Sequence, residues 1–179
     1  MNYWSNIIKT QYTFQVFLLG AVSIVVSVFT GRELFTYIAF VVLFTVFDVA
    51  GYGNMVHLTE RWYDEKIIIP YRIMQNMFMV LSFILIFVYA GWLCLLACIA
   101  AWWLGGCDLL YYLVLKVEMK HEDYYWMKGW SVWLIITLFR KFFSIDTKIS
   151  RGEFIAVGIL GLAAGMVFTL VLSYKIFYI

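Results

Sequence analysis

The chain has 179 residues, of which 65% are apolar and 13% charged, and its formal net charge is +2. Soluble globular domains run near half apolar and a quarter charged, so this composition excludes water as the main solvent. It gives no support to nucleic-acid binding, and one Pro with no Ser- or Gly-rich linker points to a single domain over residues 1–179.

A helix needs about 20 apolar residues to cross a hydrocarbon core about 30 Å thick. Five blocks meet that requirement, at about 12–30, 34–52, 73–90, 92–115 and 154–175. The first follows Lys9 and reads as a retained span, since no small-residue cleavage site leads out of it. A sixth stretch, residues 124–143, has a short apolar core from Trp130 to Phe139. It reads as a short span or as a re-entrant or interfacial helix. The expected fold is an all-α integral membrane protein, a compact bundle of five or six transmembrane helices.

Lys and Arg concentrate in loops that stay in the cytoplasm. If 124–143 crosses, the basic residues divide 8 to 5 between the two faces; if it does not, they divide 11 to 2, with Arg32 and Lys175 alone on the minority face. The non-crossing arrangement fits better, and both place the N-terminus of this multi-pass chain in the cytoplasm. Loops 53–72 and 116–124 then share the cytoplasmic face, with both histidines and six of the eleven carboxylates.

Asp48, in LFTVFDVAGY, and Asp108, in WLGGCDLLYY, are the acidic residues inside the confident spans. Placing such a group mid-membrane costs roughly 2.5–3.5 kcal/mol, so something must compensate for it. Tyr52 and Tyr112 each follow their Asp by four residues, which a helix turns to the same face. Asp48 and Asp108 are expected at similar depth, with Gln75 and Asn76 close enough to join them. Poor solvation would leave at least one carboxyl able to give and take a proton at neutral pH, a general acid/base site. The structural alternative is that both aspartates are satisfied groups fixing helix rotation.

A weaker constellation pairs His57 and Glu60 with Glu118 and His121. The spacing of three puts His and carboxylate on one helix face, and Glu118-x-x-His121 has the order used in carboxylate-bridged dimetal bundles. One such element leaves that site incomplete, and solvated loop charge is the favoured reading, so no cofactor is expected. Cys94, Cys98 and Cys107 lack CxxC spacing and read as packing thiols. Gly161 and Gly165 have GxxxG spacing, which serves intramolecular packing or a homodimer. No nucleophile elbow, phosphate loop or dinucleotide fingerprint occurs.

The run GGCDLLYYLVLKVE, followed by YYWMKGW, resembles the matching region of the emopamil-binding sterol isomerases over less than a fifth of the chain. That resemblance implies a small bundle that moves a double bond by intramembrane proton transfer, and it carries no residue role across. Together these features lead to the expectation of a membrane-embedded enzyme acting on a lipid-like or isoprenoid substrate, an isomerase or cyclase. Asp108 is the expected proton donor and Asp48 its partner, Tyr52 and Tyr112 orient them, and Trp102, Trp103 and Trp130 face a substrate cation. The partners are membrane lipids and an apolar small molecule. Two other classes compete: a small transporter or channel subunit binding a cation or proton at the aspartates, and a non-catalytic assembly subunit. Against transport, neither an inverted repeat nor a pair of broken helices is visible in the sequence.

Overall fold

The computed structural model describes residues 12–57, 65–116, 132–143 and 149–175, and these are helical with no strand among them. In chain order they form α1 (Thr13–Thr30), α2 (Glu33–Asp48) continuing into a π-helical segment (Val49–His57), α3 (Glu65–Trp103), α4 (Gly106–Leu115), α5 (Val132–Phe142) and α6 (Arg151–Lys175). Four stretches are long and apolar enough to cross a membrane: Thr13–Thr30, Glu33–Gly53, Glu65–Trp103 and Arg151–Val171.

The distribution of side chains reverses that of a soluble bundle. On α1 the buried residues are Gly20, Ser23 and Ser27, at helical spacings of three and four, while Phe14, Phe17, Leu18, Val22 and Val25 are exposed. In water, each large apolar side chain left out would forfeit about 1.5–3 kcal/mol of burial. Against hydrocarbon there is nothing to forfeit, and small inward residues let backbones approach. A Cβ on Gly20 would lie 2.7 Å from Leu43, which is why that position of the α1–α2 seam carries no side chain.

At 1.5 Å per residue α3 would be almost twice as long as a bilayer core is thick. It is two helices meeting at Gly91, whose φ of 80° and ψ of 175° lie in a region open essentially to glycine alone. Near this bend Tyr89 donates to the Ser27 carbonyl at 2.8 Å and the Cys94 thiol to the Glu33 carbonyl at 3.6 Å, so residues 89–94 lie beside the α1–α2 turn. At the other end of the returning limb, the Tyr12 N–H donates to the Val114 carbonyl at 2.9 Å. The fourth apolar block is therefore a return limb, and it is interrupted at Leu104–Gly105, where Gly105 has φ 78° and α4 begins. The sequence shows no pair of broken helices, and the structure adds one interruption in this limb: glycine supplies the left-handed conformation that stops one helix and starts the next.

The route between α4 and α6 bears on the sixth stretch. Leu115 and Val114 at the end of α4 share a core cluster with Ile149 and Phe154 at the start of α6. These ends of α4 and α6 lie together in the bundle and are joined in the chain by residues 117–148. Within them α5 is 11 residues long, about 16 Å, and Arg140 near its end is ion-paired with Glu153 of α6. Residues 124–131 lie outside the described residues.

The glycines of α6 are used inside the chain. A Cβ on Gly161 would lie 2.7 Å from the Leu104 side chain, and one on Gly165 would lie 2.6 Å from the Tyr37 ring, whose hydroxyl donates to the Leu162 carbonyl at 2.8 Å. This seam is filled by α2 and the return limb, so the GxxxG pair does not present the free face that a homodimer needs. Gly165→Ala should cost about 1–3 kcal/mol by overpacking. Gly152→Ala, with nothing within 4 Å of its Cβ, is the control. Thermal unfolding in detergent tests this, and equal midpoints for the two variants would refute the assigned seam.

Candidate functional site

Asp48 is the last residue of α2, where the helix widens into the π-helical segment, and it is 5% exposed. The compensation comes from α3. Tyr71 and Gln75 stand four residues apart, on one face of α3, and both reach the same carboxylate oxygen. The Tyr71 hydroxyl donates to Asp48 Oδ1 in a short hydrogen bond, and Gln75 Nε2 donates to it at 2.8 Å. The Gln75 amide is oriented in turn, since its Oε1 accepts from Arg72 Nη1 at 2.6 Å. The Arg72 guanidinium lies 5.1 Å from the centre of the Tyr52 ring and 5.8 Å from that of Tyr71, within cation–π range.

Asp108 enters from the return limb. The interruption at Gly105 places it in the first turn of α4, half-buried, where the helix dipole favours a negative group. Asp48 and Asp108 line one cleft together with Tyr52, Tyr71, Arg72, Gln75, Tyr111 and Tyr112. The cleft has a volume of about 20 Å³, enough for a single water. The arrangement joins two carboxyls, four phenols and a guanidinium linked through an amide, a set able to pass a proton over short distances or to hold a small polar guest.

Five residues singled out from the sequence meet here: Asp48, Asp108, Tyr52, Tyr112 and Gln75. Tyr71, rather than Tyr52, is the phenol shown donating to Asp48, while the Tyr52 ring packs on Tyr71 at 5.5 Å and on Tyr111 at 6.3 Å. Several other expected residues stand elsewhere. Asn76, next to Gln75 but rotated about 100° around α3, is exposed and does not line the cleft. Trp102 packs in the second core cluster, edge-on to Phe83 at 6.3 Å, and Trp103 is 45% exposed, so neither faces the aspartates. Trp130, Glu60, Glu118 and His121 lie outside the described residues, as does the side chain of His57.

Tyr71, Arg72 and Tyr111 were missed. The third apolar block was read as starting at residue 73, which left Tyr71 and Arg72 in a loop, but α3 starts at Glu65 and carries Pro70 within it. The overlooked signal is Tyr71-Arg72-x-x-Gln75, three polar groups on adjoining helix faces.

Removing the Tyr71 hydroxyl takes one of two donors from a buried carboxyl, a loss of about 1–3 kcal/mol. Tyr71→Phe should therefore lower the unfolding midpoint more than Tyr89→Phe, whose hydroxyl serves a helix carbonyl at a half-exposed position. Equal shifts would show that the Tyr71–Asp48 bond does not stabilise the bundle. No family model, curated protein or solved structure matches this chain.

Proposed function

We propose that the protein is a multi-pass membrane enzyme that performs acid/base chemistry on a lipid-like substrate at the Asp48–Asp108 cleft. The observation that carries this reading is the meeting of two carboxyls from different limbs in one tight, phenol-lined cleft inside an apolar-surfaced bundle. In the reaction proposed, one protonated carboxyl adds its proton to an alkene carbon, and the other, as carboxylate, removes a proton two carbons away. The double bond moves, no electrons are gained or lost, and the pair ends with its proton exchanged between the two groups. An arrangement in which residues 117–148 do not cross divides Lys and Arg 11 to 2, and the cluster shared by the end of α4 and the start of α6 supports it, with the aspartate end cytoplasmic.

A second reading is binding of a proton or small cation for transport. The one-water volume of the cleft favours it, as does the position of each aspartate beside an interrupted helix.

The two readings separate in reconstituted membranes. Incubation with an isoprenoid-rich lipid extract in D2O should place deuterium on carbon in a lipid fraction, read by mass spectrometry. Asp48→Asn and Asp108→Asn, confirmed as folded by circular dichroism, should each lower that incorporation by about 10²–10⁴-fold. Absence of any variant-sensitive incorporation, together with a proton or sodium flux abolished by Asp48→Asn, would sink the enzyme reading in favour of transport.

A further inference from the structure

A second cavity, of about 440 Å³, lies between α1, α2 and the 65–90 limb of α3, and it is in the size range of small-molecule sites. None of its lining residues is charged. Three of its four polar residues serve one another: Ser27 and Thr36 hydroxyls are 2.6 Å apart, and Tyr89 donates to the Ser27 carbonyl. The lining asks for little hydrogen bonding, and all three walls belong to helices apolar enough to cross a membrane, so the surroundings can supply only hydrocarbon.

The cavity has a direction. From Thr36 to Phe44 it follows nine residues of α2, about 12 Å along the axis, with Ser27, Thr36 and Tyr89 at the Gly31 end and Ser82 between that end and Phe78. At its inner end Phe78 stacks on Phe47 at 4.5 Å, Phe47 stacks on Tyr71 at 6.2 Å, and Tyr71 donates to Asp48. One aromatic layer thus separates the apolar space from the carboxyl cluster.

We propose that this cavity binds one unbranched or isoprenoid hydrocarbon chain of a membrane lipid, with the chain end directed at the Phe47–Phe78 layer. The inference rests on the enzyme reading for its consequence and deepens it: the substrate is an amphiphile whose reacting double bond lies far along the chain from its headgroup. The head remains near the face opposite the aspartates, beside Ser27, Thr36 and Tyr89. The chain end crosses the aromatic layer when Phe47 and Phe78 part.

The test uses the full chain in nanodiscs of phosphatidylcholine in which one acyl chain carries a terminal diazirine. After photolysis, peptide mass spectrometry should find labelling at residues 39–44 and 78–86 about tenfold above that at Leu160 and Val167, which face outward on α6. Ser82→Phe, which fills the cavity, should abolish that excess and leave α6 labelling unchanged; Ala39→Phe serves the same purpose if the first variant does not fold. Labelling no higher than on α6, or an excess untouched by both substitutions, overturns the chain site. Asp48→Asn should leave the labelling intact. Labelling that persists while deuterium incorporation ignores Asp48→Asn rejects the enzyme reading and keeps the chain site. Loss of incorporation in that variant without any cavity labelling does the reverse.

Discussion

The organising constraint of this molecule is a carboxyl group that has to be satisfied without water. Asp48 stands at the end of an apolar helix, and the two donors that satisfy it, Tyr71 and Gln75, come from a single face of α3. Hydrogen bonds to a charged group contribute about 1.5–3 kcal/mol each, enough for two of them to offset the roughly 2.5–3.5 kcal/mol of placing the carboxyl in the membrane. That balance holds at one rotation of α3 about its axis. The same rotation brings Phe78 against Phe47 and turns the Tyr71 ring toward Tyr52. Polar satisfaction and aromatic packing therefore select the same helix register, a consistency that a sequence with a unique fold requires.

Both aspartates sit where regular helix gives way. Asp48 precedes the π-helical segment, and Asp108 follows the interruption at Leu104–Gly105. Irregular backbone at membrane depth survives where protein rather than lipid surrounds it, and π-helical turns recur at functional sites. Here Val49 and Gly53 of the π-helical segment and Gly105 at the interruption are buried, while Ala50 is exposed, and a Cβ on Gly106 would strike Leu162 of α6. The α6 glycines serve this end, since their small size lets α6 lie directly over the broken limb.

The helical, apolar character of the chain was legible because it resides in composition and block length, which need no three-dimensional information. The convergence of Asp48 and Asp108 was legible for a similar reason: few polar groups occur in the spans, and those few must find each other. The partners that complete the cleft were less visible. Tyr71 and Arg72 sit at the edge of an apolar block, where hydropathy cannot distinguish helix from loop, and α3 runs through Pro70 to Glu65. Trp102 and Trp103 stand away from the cleft, a placement the sequence does not show because an aromatic ring suits a core, an interface and a pocket equally well. The placement that separates these depends on the break at Gly105, and a Gly-Gly pair in the sequence does not say which way the chain turns.

The bend at Gly91 is a reversal with no loop, and the turn between α1 and α2 consists of Gly31 and Arg32 alone. Among the described residues, then, the face opposite the aspartates is closed by two bare turns, one at Gly31–Arg32 and one at Gly91. Among the described residues, the carboxyls, phenols and guanidinium of the cleft gather instead toward the end where α4 stops and α6 starts.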